Sequence, residues 1–276
     1  MIKNSLFLYG SALLLAAPSS IAEEAPKKET NGFVPLFNGK NFDGWYLKIK
    51  KDDEALAKKV FSIKDGAVHV FNDAFEGDVD LNKGIDDTIG MMYTKKEYSK
   101  YHLKFEYKWG SRKANYFDKW QYDAGVYYHI SNDKIFPIGI EYQIHYHHIK
   151  NENHTGDLIR PRGVTYKWYH DPKTEAYLHP DNGGKLFTNQ KQWLHKAKFT
   201  ENYHGLDGEW NLCEIIVMGN DYAIHKLNGD IVNMAFNPTP GKGIIGFQSE
   251  TAEIFYKNIE IKEFTESVPV ETFLKP

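Results

Sequence analysis

The chain has 276 residues, 34 basic and 37 acidic side chains for a formal net charge of −3, and a 15% aromatic fraction. It is long enough to bury a full core, it lacks the basic footprint that nucleic-acid binding requires, and its single cysteine excludes an internal disulfide. The 18 Tyr, 17 Phe and 6 Trp suit both β-strands and carbohydrate-stacking surfaces.

The N-terminus carries the pattern of an export signal. Lys3 supplies the positive end, Leu6 to Ala17 form a short apolar run, and Ser20-Ile21-Ala22 places small residues before a cut after Ala22. This predicts a signal peptide over residues 1–22, a charged tether over 23–31 and an exported protein, periplasmic or extracellular. The apolar run is too short to span a membrane comfortably, and no later stretch is long enough. Residues 32–266 read as one β-sandwich with a long loop insertion around 149–205, followed by a C-terminal tail over 267–276. A monomer or small homo-oligomer is expected.

From Phe33 to Trp45 a short strand passes through Asn38-Gly39 and Asp43-Gly44 turns. Lys48 to Lys59 is charged and reads as a short helix or an excursion. Val60–Ile63 and Ala67–Val70 form a hairpin around Asp65-Gly66, Asn72 to Asp87 is an acidic loop, and Thr88–Tyr93 resumes a strand. Tyr101 to Trp109 alternates most cleanly: Tyr101, Leu103, Phe105, Tyr107 and Trp109 against His102, Lys104, Glu106 and Lys108.

Gly125–Ile130 is the next strand, and Ile140 to His147 follows it. There Ile140, Tyr142, Ile144 and Tyr146 occupy one parity and Glu141, Gln143, His145 and His147 the other, so one face presents a carboxylate, an amide and two imidazoles. Such a row accepts protons, donates them or holds a metal; its alternative is a solvated outer face. After the polar insertion, with one strand at Val164–Trp168, strands recur at Glu209–Met218, Tyr222–Leu227, Ile231–Met234, Gly243–Gln248 and Glu253–Lys262. Even strands with regular turns and almost no helix argue a β-sandwich. Cys213 shares parity with Ile215 and Val217 and reads as a buried small hydrophobe.

The blocks Pro35-Leu36-Phe37-Asn38-Gly39-Lys40-Asn41-Phe42-Asp43-Gly44-Trp45, Ala124-Gly125-Val126-Tyr127-Tyr128, Ile140-Glu141-Tyr142-Gln143-Ile144, Ile245-Gly246-Phe247-Gln248 and Phe255-Tyr256-Lys257-Asn258-Ile259 come in an order that resembles the bacterial 3-keto-disaccharide hydrolase family. The resemblance covers about Phe33 to Phe264. It implies an all-β, concanavalin A-like (lectin/glucanase) jelly-roll sandwich. It also implies cleavage of glycosides already oxidised to a ketone at C3, by proton removal at C2, elimination of the C1 substituent and hydration. Asp123-Ala124-Gly125, His129 and His145 depart from the family pattern, and the loop from His147 to Gly205 is longer than the family's.

That chemistry requires a general base, a donor at the developing oxyanion and an acid for the leaving oxygen. Glu141, His145 and His147 are the catalytic candidates, with His145 or Glu141 as base. Asp123, Gln143, His129, Glu106, Lys108, Arg160, Arg162 and Gln248 are substrate-binding candidates. Asp123 and His129 rank by their shared parity, and Gln248 stands with Ser249 and Glu250 at the end of a late strand. Glu106 and Lys108 also fit a cross-strand ion pair on a wet face. His145 and His147 stand about 6–7 Å apart along one face, so they and Glu141 are candidate ligands of a divalent metal, a cofactor the pattern permits without requiring. Trp45, Trp168 and Trp193 read as sugar platforms or packing residues. Two alternatives remain: a non-catalytic carbohydrate-binding module, and a glucanase-type hydrolase, whose Glu-x-Asp-x-x-Glu strand is absent because Gln143 replaces the Asp.

Overall fold

The computed structural model describes residues 31–72, 88–114, 121–189 and 191–274. The expected signal peptide, nearly all of the tether and most of the acidic loop fall outside the described residues.

The first strands are β1 (Val34–Pro35) and β2 (Trp45–Ile49). The charged segment that follows forms the helix α1 (Glu54–Val60): the Asp53 side chain accepts the Leu56 N–H at 2.9 Å, Glu54 lies in the first turn and Lys58 and Lys59 in the last. β3 (Phe61–Lys64) and β4 (Ala67–Val70) pair as a hairpin, with Asp65 and Gly66 at φ 51° and 79° in its turn. Then come β5 (Gly90–Thr94), β6 (Lys100–Lys113), β7 (Tyr122–Ile130) and β8 (Ile140–His147). The insertion holds short strands: β9 (Glu152–Asn153), β10 (Leu158–Ile159), β11 (Thr165–Lys167), β12 (Tyr169–His170), β13 (Lys185–Leu186) and β14 (Leu194–His195). The last third contributes β15 (Asn211–Met218), β16 (Tyr222–Leu227), β17 (Asp230–Thr239), β18 (Ile244–Ser249), β19 (Ala252–Glu263) and the helix α2 (Glu271–Leu274).

These strands make two large antiparallel sheets. The nine-stranded sheet runs β11-β17-β16-β15-β6-β19-β4-β3 with β1 on β19, and the eight-stranded sheet runs β14-β10-β8-β7-β18-β5-β2 with β9 on β8. The core between them is built from alternate residues of each strand. Phe105 of β6 meets Tyr142 of β8 at 5.9 Å and Phe247 of β18 at 5.2 Å, edge to face, and Trp45 meets Phe247 at 5.8 Å. Cys213 is buried in this core as a free thiol. The architecture is an all-β jelly-roll sandwich.

The final stretch expected as a tail is strapped to the nine-stranded sheet. Tyr222 donates to the Val268 carbonyl at 2.5 Å, Ser267 donates to Asp221 at 2.6 Å, and Val268, Val270, Phe273 and Leu274 pack against the core. Among the described residues no helix is long and apolar enough to cross a membrane.

Candidate active site

β8 lies inside its sheet, between β7 and β10. Ile140, Tyr142 and Ile144 fill the core, and strand alternation turns Glu141, Gln143, His145 and His147 to the outer face. They are buried there as well, at 4%, 6%, 1% and 7% exposure. The alternative of a solvated face is therefore excluded for this row.

Register decides what stands beside it. Across β7, Asp123 pairs with His145, Gly125 with Gln143 and Tyr127 with Glu141. β18 sets Gly246 beside Tyr127 and, two residues on, Gln248 beside Gly125. The two glycines make room on this face: a Cβ at Gly125 would collide with the Glu141 carboxylate, and one at Gly246 would meet Met91 Cε at 2.6 Å and the Tyr93 ring at 2.8 Å. Glu141 therefore leans over β7 from one side while Met91 and Tyr93 lean over β18 from the other. An apolar cluster of Met91, Tyr93, Tyr127 and Ile130, with Tyr46 and Ile244 beside it, completes the surface.

Polar contacts hold the arrangement. Tyr127 hydrogen-bonds Glu141, and Gln143 Nε2 donates to Asp123. The turn after β18 is clamped to β7 by Thr251, whose Oγ1 accepts the Asp123 N–H at 2.8 Å and donates to the Asp123 carbonyl at 3.1 Å. This brings Glu250 to the same group. Gln248 is buried, and its Oε1 has no hydrogen-bond partner.

Three carboxylates thus share one region, Glu141 buried and Asp123 and Glu250 half-buried beside it. Burial and the Glu250 charge hold Glu141 well above the usual carboxylate range, against the opposing hydrogen bond from Tyr127. Burial, Glu250 and Glu141 raise Asp123 well above its ordinary value, more than the Ala124 N–H and Gln143 lower it. Burial pushes Glu250 up to about 7. Such a group keeps protonated and ionised carboxyls side by side near neutral pH, the condition for one acid and one base in the same site.

His145 stacks on His154 at 5.0 Å and lies 6.3 Å from His147, ring to ring, within the predicted separation. Among the described residues no three His, Cys, Asp or Glu side chains converge in a way that could hold an ion. Glu141, His145 and His147 do not converge as the metal ligands that their pattern permits.

Several expected site residues stand elsewhere. His129 does not follow the parity of Asp123, because Tyr128 and His129 together oppose Ile245 in a bulge and His129 takes φ 52°. Its ring turns into the core, hydrogen-bonded to the Pro240 carbonyl at 2.9 Å and the Ser99 carbonyl at 3.2 Å, and burial lowers its pKa to about 4. Glu106 and Lys108 belong to β6, in the opposite sheet. Glu106 pairs with Lys257 at 3.2 Å and accepts from Asn258 at 2.6 Å, while Lys108 lies over the Trp210 ring at 5.0 Å. The ion-pair reading is the correct one, with Lys257 rather than Lys108 as partner.

Arg160 follows Ile159, which pairs with Glu141, and so has the opposite parity; it donates to the Gln192 carbonyl at 2.8 Å and lies 5.9 Å from the Tyr166 ring centre. Arg162 is exposed beyond it. Trp45 and Trp168 are packing residues, donating to the Leu36 carbonyl at 3.0 Å and Asn233 at 2.8 Å, whereas Trp193 is exposed. Glu250 shares parity with Gln248, which was the available signal for its place; Gly125 and Tyr127 carried none.

The sequence profile of the 3-keto-alpha-glucoside-1,2-lyase-like domain matches residues 32–262. The chain belongs to this family. This family member is therefore a carbohydrate-related protein built on an all-β jelly-roll sandwich. No curated protein matches it. Two solved structures of candidate glycosyl hydrolases from Parabacteroides distasonis share 19% and 18% identity over 85% and 84% of this chain and 95% and 99% of theirs, each at a TM-score of 0.51. The β-glucanase of Bacillus licheniformis is similar at 10% identity and a TM-score of 0.44, over 84% of this chain and 97% of its own.

Proposed function

We propose that this family member is an exported enzyme that cleaves 3-keto-glycosides by elimination and hydration. The observation that carries the reading is the convergence of Glu141, Asp123 and Glu250 around Gly125, with proton affinities raised above the ordinary carboxylate values. Export rests on the pattern of residues 1–22.

A ketone at C3 acidifies the hydrogen on C2. Glu250, which burial pushes up to about 7, is the base, and its carboxylate takes that proton. The C2 electron pair moves into a C2–C3 double bond and places negative charge on the C3 oxygen. A Gln143 or Gln248 amide N–H supplies a hydrogen bond to that oxygen. Glu141, held protonated by burial, gives its proton to the leaving oxygen as the C1–O bond breaks. Water then adds across the resulting C1–C2 double bond, which makes the net reaction a hydrolysis. Half-buried Tyr46, packed 5.4 Å from the buried Tyr93 ring, offers aromatic surface to the sugar rings.

A second reading has one observation in its favour. The missing second carboxylate of a glucanase-type pair is absent from β8 but is present on β7 and after β18, as Asp123 and Glu250. Incubation with a 3-keto-glycoside and with its unoxidised parent separates the two. Release from the keto form alone, with solvent deuterium entering C2, supports elimination; release from the parent supports the glucanase chemistry; binding of either without turnover leaves a carbohydrate-binding module.

A further inference from the structure

The long insertion also shapes a cavity of about 530 Å³ away from the carboxylates. Its walls are the segment Tyr177–Asn182, the residues Lys198–Thr200, the turn joining β16 to β17 and Leu274 of α2. The turn belongs to the nine-stranded sheet, so this cavity and the Glu141 group stand on different sheets.

We propose that this cavity is a second carbohydrate site, taking a sugar unit of an uncharged glycan chain and performing no chemistry on it. Its volume lies within the range of about 300–1,000 Å³ usual for small-molecule sites. Phe199 is 71% exposed beside it. A bare aromatic ring at the mouth of a polar cavity is costly in water and is a stacking platform for the C–H face of a pyranose.

Tyr177 lines the cavity at 5% exposure, and its hydroxyl has no hydrogen-bond partner. Burial and the Asp181 carboxylate raise its pKa, so the proton stays on and the group is an unused donor. An unpaired buried donor is costly, and a sugar hydroxyl accepting from it would remove that cost.

The charges around the cavity balance. Lys198 and Lys226 face Asp181 and Asp230, so neither an anion nor a cation is preferred. Asp230 is oriented by Thr200, which donates to it at 2.6 Å, and His179 accepts the Asp181 N–H at 3.2 Å. Fixed polar groups of both kinds around one aromatic ring match a neutral polyhydroxyl ligand.

The test is calorimetric titration of the full protein with maltohexaose, cellohexaose and xylohexaose, in wild type and in Phe199→Ala, Tyr177→Phe and Glu141→Gln. At least one hexaose is expected to bind. Phe199→Ala should weaken it at least fivefold and Tyr177→Phe at least threefold, with unchanged melting temperatures and unchanged turnover of a small keto-glycoside. Glu141→Gln should leave this binding intact, which separates the site from the proposed catalytic one. Failure of all three sugars to bind wild type, or binding lost in Glu141→Gln and kept in Phe199→Ala, would overturn the proposal.

Discussion

The outer faces of β6 and β8 carry nearly the same side chains and do different things. β6 presents His102, Lys104, Glu106 and Lys108, and β8 presents Glu141, Gln143, His145 and His147. On β6 three of these side chains meet an opposite charge across a strand, His102 binding Glu214 at 2.6 Å, Lys104 lying 3.6 Å from Glu214 and Glu106 pairing with Lys257, while Lys108 lies over the Trp210 ring. Burial raises Glu214, but the His102 hydrogen bond with Lys104 and Lys226 brings it below the ordinary carboxylate value. On β8 the nearest charges are of like sign, and the carboxylates are pushed up instead. Alternation on one strand therefore marks a polar face; what crosses from the neighbouring strands decides whether it is neutralised or poised to move protons.

The largest effect that sharpens this contrast is on turnover. Glu141→Gln should lower kcat on a 3-keto-glycoside by about 10²–10³-fold, the usual share of a general acid or base, with the melting temperature kept or raised. Glu106→Gln should leave kcat within about twofold, because a half-buried ion pair on the other sheet takes no part in the proton transfers.

Gly125→Ala comes next. The added methyl meets the Glu141 carboxylate, so activity should fall with that of Glu141→Gln and stability should drop by about 1–3 kcal/mol, the cost of overpacking. Denaturant unfolding beside the activity assay distinguishes this from Glu141→Gln, where stability is not lost.

The pH dependence is smaller. If Glu250 is the base, kcat/KM should rise as pH climbs through about 7, and Glu250→Gln should remove that limb along with most of the activity. Folding raises the Glu250 pKa from 4.5 to about 7, so the folded state holds this proton longer than the unfolded chain. The wild-type contribution is then fully present below about pH 4.5 and is lost as pH rises to about 7. Glu250→Gln should accordingly be more stable than wild type at pH 8, by up to roughly 3 kcal/mol for a rise from 4.5 to about 7, and equal to it near pH 4. Smallest of all, removing the Glu106–Lys257 pair should cost no more than about 1 kcal/mol, less in high salt.

Much of this was legible in one dimension. β8 runs over Ile140–His147 as its alternation predicts, and the pairing of both sheets follows strands whose apolar parity was visible. His129 was misplaced because a bulge breaks the period of two, and nothing in the composition of Tyr128-His129-Ile130 announces it. Glu106 and Lys108 were misjudged because their partners, Lys257 and Asn258 for Glu106 and the Trp210 ring for Lys108, lie about 100–150 residues away in the chain. Separation in the chain also hid the place of Glu250, which reaches Glu141 only once β18 settles beside β7 and Thr251 clamps the turn. Gly125 was read as part of a motif; its use, as the gap that seats a carboxylate, appears only with the register.

The most direct measurement follows C2 deuterium exchange and aglycone release together, in D₂O, for wild type and Glu141→Gln on a 3-keto-glycoside. With Glu250 as base and Glu141 as acid, the variant should continue to exchange the C2 hydrogen while release falls about 100-fold. Release at the wild-type rate from a folded Glu141→Gln protein would contradict the assignment of this face as the site of the chemistry.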